Sequence, residues 1–123
     1  MDDSTEDALS QRMMQLKCEQ HGQAVVIAVS GEVDTLTSPR LMALINDTAT
    51  QQSEPRLVLD LTAVEFLGSA GIAAVTGAAS VSNGQLRVVI VSRTIARSLH
   101  ITGIDNLVEI HDTLDDALRA VQA

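Results

Sequence analysis

Asp60-Leu61-Thr62-Ala63-Val64-Glu65-Phe66-Leu67-Gly68-Ser69-Ala70-Gly71, near the middle of a 123-residue chain, is the stretch from which the fold can be read. Leu57-Val58-Leu59 before it is a short apolar run, and Ile72-Ala73-Ala74-Val75 after it is rich in residues a helix can bury, so the segment reads as strand, connection, helix. Ser69 falls where the helix begins. It lies between Gly68 and Gly71, residues that can take backbone angles closed to others and let another surface approach. On the residues alone, Ser69 is a cap for that helix, and Phe66 is a core side chain.

Working outward, Ala24-Val25-Val26-Ile27-Ala28-Val29 is continuous and β-branched, as in a strand covered on both faces. Before it, Met13 to Glu19 alternates as a half-buried edge strand does, with Met14, Leu16 and Cys18 on one side, and His21-Gly22-Gln23 supplies a hairpin turn. Gly31-Glu32-Val33-Asp34 leaves the second strand. Ser38-Pro39 reads as a cap and a proline at the first helical position, opening a helix to about Thr50 whose inner stripe is Leu41, Leu44, Ile45 and Thr48. The helix at Ser69 or Ala70 runs to about Ser82 and is stopped by Asn83-Gly84. Leu86 to Val91 is a further strand, and Ser92 caps a short helix lined by Ile95, Leu99 and Thr102 that ends at Gly103. Leu107 to Ile110 is a last strand, and Thr113 opens a terminal helix with Asp115 and Asp116 in its first turn.

The order is ββαβαβαβα: an α/β single domain with four helices and a mostly parallel mixed sheet carrying one antiparallel edge strand. Residues 1–12 read as an acidic flexible tail and residues 13–123 as the domain. Functional loops of such sheets lie at the carboxyl ends of the strands, which predicts that Asp34 and Ser69 open at the same end.

Composition narrows the function. A net charge of −8 and a single aromatic residue leave neither a basic footprint nor stacking platforms for nucleic acid, and favour a basic protein surface as partner. The lone Cys18 forbids an intrachain disulfide and reads as plain core on its strand. The acidic start is unlike a secretory signal and no apolar run reaches the roughly 20 residues of a membrane span, so a cytoplasmic location is expected. Three scattered histidines and dispersed carboxylates give no metal-ligand spacing, and no cofactor is expected. Leu67 stands where a hydrolase elbow needs its first glycine, and neither His21, His100 nor His111 has a pattern that would hold it against Ser69.

Three segments carry a resemblance. Asp60-Leu61-Thr62-x-Val64-x-Phe66-Leu67-Gly68-Ser69-Ala70-Gly71, Gly31-Glu32-Val33-Asp34 with Thr37, and Thr102-Gly103-Ile104 are similar to the signatures of bacterial anti-sigma factor antagonists of the STAS-domain family. The resemblance implies a STAS-like fold and a protein without catalytic activity. It implies binding to an anti-sigma factor that is also a serine kinase, which releases the sigma factor. Ser69 would be the phosphoacceptor that switches binding off, with a serine phosphatase restoring it. Asp34, Thr37, Gly68, Ser69, Ala70 and Gly71 would form the partner surface. Gly68 stands where the family usually has aspartate and Ala70 where a second serine or threonine is common. The alternative is the same fold as a ligand-sensing or scaffold module not regulated by phosphorylation.

Overall fold

The computed structural model describes residues 3–83 and 85–122. Helix α1 (Asp3–Met13) leads into β1 (Met14–His21) and β2 (Ala24–Val33), then α2 (Ser38–Thr50), β3 (Leu57–Leu67), α3 (Ser69–Val81), β4 (Leu86–Val89), α4 (Arg93–Ile101), a 3₁₀ turn (Ile104–Asn106), β5 (Glu109–His111) and α5 (Leu114–Gln122). The five strands form one sheet in chain order, β1 antiparallel to β2 and the rest parallel.

Chain order decides where the helices go. Right-handed crossovers that all step in one direction put their helices on one face of the sheet. On that face α2, α3 and α4 bury Leu41, Ile45, Val75, Ala78, Ile95 and Leu99 against Ile27, Leu57, Leu59, Leu61 and Val88. Truncating any of the larger side chains to alanine would cost about 2–5 kcal/mol. The opposite face is left to α5, where Ala117 and Val121 meet Ala24, Val26, Val58 and Val89. Nine helical residues span only about 13 Å, and the ten and eleven residues of β2 and β3 run to about 35 Å. The far half of that face is therefore open, and Ala28, Ser30, Asp60, Thr62 and Ala63 line a shallow cleft there with Gln15 and Lys17.

The expected mixed sheet and its elements are found, with differences of physical interest. Among the described residues there are five helices rather than four, because residues read as an acidic flexible tail are helical from Asp3. Helix α1 has no apolar stripe to betray it. Its anchor is polar: Arg40 donates to the Ser10 hydroxyl (2.8 Å) and to the Met14 carbonyl (3.2 Å), and Ser10 is buried. The connection after Leu61 is also strand, since β3 continues to Leu67. Two bulges hide it: Ala28 pairs with Asp60 but Ser30 with Ala63, and Gly31 pairs with Val64 but Glu32 with Phe66. Each extra residue breaks the period of two. Phe66, at the second bulge, is 52% exposed rather than a core side chain. Cys18 is exposed on the edge strand and is not core. Thr102 sits beyond the buried stripe of α4 as its C-terminal cap residue and is exposed. Gly84, read with Asn83 as the stop of α3, lies outside the described residues.

The glycines of α3 differ sharply. A Cβ on Gly71 would lie 2.5 Å from Leu67 Cδ1 and 2.9 Å from Val33 Cγ1, whereas one on Gly77 would meet nothing within 4 Å. Gly71→Ala should therefore destabilise the fold by about 1–3 kcal/mol through overpacking. Gly77→Ala should stabilise it by about 0.5–1 kcal/mol. Chemical denaturation of the two variants checks the pair, and equal shifts would show that close packing of α3 on the sheet is not what Gly71 provides.

Candidate functional site

Strands β2 and β3 end together. Val33 pairs with Leu67 in register, and the Gly68 N–H donates to the Val33 carbonyl oxygen at 2.9 Å. The loop that begins at Asp34 and the turn that begins at Gly68 are thus held side by side at one end of the sheet, as the sequence predicts.

The first loop is closed by its own polar side chains. Asp34 Oδ1 accepts the N–H groups of Leu36 (2.9 Å) and Thr37 (3.1 Å). Thr37 Oγ1 accepts the Asp34 N–H (2.9 Å) and donates to the Glu32 carbonyl (2.8 Å). The cap residue of α2 is Thr37, not Ser38. The Ser38 N–H is taken by the Asp34 carbonyl and the Arg40 N–H by the Thr37 carbonyl, and Pro39 has no N–H to satisfy. Thr37 is fully buried and Asp34 partly so. Thr37 therefore shapes the surface of this loop from beneath. Gly31 is also required here, because its φ of +91° lies in the left-handed region and a Cβ would collide with the Met13 carbonyl. Asp60 does similar work at the first bulge of β3, accepting from the N–H (3.1 Å) and hydroxyl (2.8 Å) of Thr62.

At the second turn Gly68, not Ser69, is the cap residue, with φ −83° and ψ −176° and no side chain to fill the role. Ser69 is the first residue of α3 and is exposed. The Ile72 N–H bonds the Gly68 carbonyl at 3.0 Å, which leaves the N–H groups of Ser69, Ala70 and Gly71 as the open first turn with its partial positive charge. Ala70 is half-buried and Gly71 buried, so Ser69 offers the accessible hydroxyl of the motif. Neither Gly68 nor Gly71 has a positive φ. Gly71 serves close packing, and the missing Cβ of Gly68 leaves room for the Phe66 ring, whose Cε2 would lie 3.0 Å from it.

Each histidine is paired with a carboxylate away from Ser69: His21 with Glu19 (3.2 Å), His100 with Asp105 (2.7 Å) and His111 with Glu109 (2.9 Å). His111 is not a surface residue, its side chain being only 15% exposed. Among the described residues no cluster of three His, Cys, Asp or Glu side chains could hold a metal, and no helix is long and apolar enough to cross a membrane. Phe66, beside these loops, is exposed where its apolar character pointed to the core. The inward positions Leu57, Leu59 and Leu61 set an alternation that puts Phe66 on the outward side, a signal in the sequence that could have found it.

Residues 15–117 match the STAS domain family. The chain belongs to that family. Among relatives of this STAS domain, the anti-sigma-F factor antagonist RsfB of Mycobacterium tuberculosis is 31% identical over 104 residues, covering 83% of this chain and 84% of RsfB. The crystal structure of an anti-sigma factor antagonist from Mycobacterium paratuberculosis superposes with a TM-score of 0.82 at 35% identity, covering 89% of this chain and 95% of that one. SpoIIAA, an anti-sigma factor antagonist, shares the fold in its unphosphorylated form (TM-score 0.70, 18% identity, 89% and 99% coverage) and, from Bacillus, in its phosphorylated form (TM-score 0.65, 20% identity, 87% and 99% coverage).

Thr37→Val keeps the shape of the buried side chain and removes its hydroxyl, stranding the Asp34 N–H and the Glu32 carbonyl. The expected cost is about 1–3 kcal/mol. Amide hydrogen exchange should show lost protection at Asp34 while β4 and β5 are unchanged, and unchanged protection at Asp34 would refute the latch.

Proposed function

We propose that this STAS domain is an anti-sigma factor antagonist: it binds an anti-sigma factor that is also a serine kinase, frees the sigma factor, and is switched off by phosphorylation of Ser69. The observation that carries the reading is Ser69, exposed at the first turn of α3 and set beside the Asp34 loop, in a chain 31% identical to RsfB over 104 residues. Asp34, Gly68, Ser69 and Ala70 contribute to the partner surface, and Thr37 and Gly71 hold its two halves in shape. The chain acts by binding and is a substrate of its partner, with no catalysis of its own. The setting is the cytoplasm, and a serine phosphatase returns the protein to its binding form.

The physics of the switch follows from the helix end. A phosphate adds about −1.5 to −2 charge and three acceptor oxygens, and the open first turn of α3 tolerates or favours that charge. The fold survives, as the phosphorylated form of SpoIIAA with the same fold would lead one to expect. Binding is lost because a strongly hydrated dianion would have to be dried in the interface. A second reading, a ligand-sensing or scaffold module without phosphorylation, draws on Gly68, which leaves no carboxylate beside the hydroxyl, and on the open cleft at Ala28, Ser30 and Asp60.

Incubation with a serine-kinase anti-sigma factor of the source organism and ATP, followed by mass spectrometry, should place one phosphate on Ser69. Ser69→Ala should bind constitutively. Ser69→Glu should bind more than about tenfold more weakly, equivalent to about 1.4 kcal/mol. Circular dichroism of the phosphorylated protein should match that of the free one; an unfolded phosphoprotein would overturn the mechanism, and the absence of phosphate would favour the second reading.

A further inference from the structure

The chain has a single aromatic side chain, and it is on the surface. Phe66 is 52% exposed, although an aromatic ring is among the most rewarding groups a small aliphatic core could bury. It lies two residues before the cap of α3 and three before Ser69, and its register partner on β2 is Glu32, two residues before Asp34. The ring therefore sits where the two loops of the site meet. Gly68 leaves room for it there. The φ of −83° at Gly68 is open to any residue, so conformation does not demand glycine. A Cβ would instead meet ring atoms Cε2 and Cζ at 3.0 and 3.3 Å. The missing side chain is a seat for the ring.

The charged residues next to Phe66 in sequence and register are acidic. Glu32 and Glu65 are exposed and Asp34 is half-exposed. An aromatic side chain surrounded by acidic groups has the anatomy of an interface anchor, in which a central ring carries most of the binding energy and charged groups at the rim steer the encounter. We propose that Phe66, seated on Gly68, is the anchor of the partner surface, and that it enters an apolar socket fringed by arginine or lysine on the anti-sigma factor. This rests on the functional reading above and adds to it the chemistry of the partner. It also ties recognition to the switch. A phosphate on Ser69 would be carried to the wall of an apolar socket, where the cost of drying a dianion exceeds its attraction to an exposed basic fringe.

The test is titration calorimetry of the unphosphorylated protein against each purified serine-kinase anti-sigma factor of the source organism. Phe66→Ala should weaken binding at least 30-fold with an unchanged thermal midpoint. Gly68→Asp, which crowds the ring and sets a charge beside it, should weaken binding about tenfold. Ile101→Ala removes a side chain that is more exposed still, at 70% on α4, and should leave the affinity unchanged. Glu32→Gln should flatten the salt dependence of the association rate. If the wild-type protein binds and Phe66→Ala binds within threefold of it, or if Ile101→Ala weakens binding as much, the anchor is refuted while the functional reading stands. If no anti-sigma factor binds the wild-type protein, both fall.

Discussion

The parallel pairing of β2 with β3 is the constraint on which the rest depends. These are the two longest strands, and their register runs from Val25 with Leu57 to Val33 with Leu67. Their first halves are buried on both faces and lie at the centre of the core. Their second halves project beyond α5 and carry no core on that side. They bring Asp34 and Gly68 to the same edge, with one backbone hydrogen bond from Gly68 to Val33 joining the loops. The scaffold and the site are successive portions of the same two strands. A slip of one residue in that pairing would expose the core and separate the loops together.

The motif residues divide by task, and most of them hold the backbone in place. Asp60 and Thr62 close a bulge, Gly31 accommodates the approach of Met13, and Asp34 and Thr37 latch the loop with four hydrogen bonds. Gly71 lets α3 settle on Leu67 and Val33. Ser69 and Phe66 have no such task and are exposed. Short polar side chains recur in such a motif because each binds a backbone group two or three residues away, and that bond holds a turn that apolar packing cannot hold.

The fold was largely legible because its core segments are unbroken. Ala24 to Val29 has no polar interruption and Leu86 to Val91 has only Arg87, and the stripe of Leu41, Ile45 and Thr48 keeps helical spacing. The features that escaped the pattern are those where spacing fails as a signal. Helix α1 is held by Arg40 through polar contacts that no hydrophobic period records. The outer half of β3 contains two bulges that interrupt its alternation, and it is the apolar character of Phe66, rather than its position, that points to the core. At the site, the position of Ser69 at the start of α3 was readable from its flanks, but its place one residue inside the helix was not. Gly68 takes the cap position with an extended backbone that serine could equally adopt.

Strand order equal to chain order has a consequence for how the molecule is made. Every strand pairs with its immediate predecessor in sequence, so no strand emerging during synthesis waits for a partner still to be built. The helical face can be completed step by step from the N-terminal side. The other face is different. Its cover, α5, rests on β2, β3 and β4 at once and is the last element described. Ala24, Val26, Val58 and Val89 therefore stay wet until translation reaches the end of the domain. The nascent chain is most exposed to aggregation through this patch, and the amphipathic C-terminal helix is the element that ends that exposure.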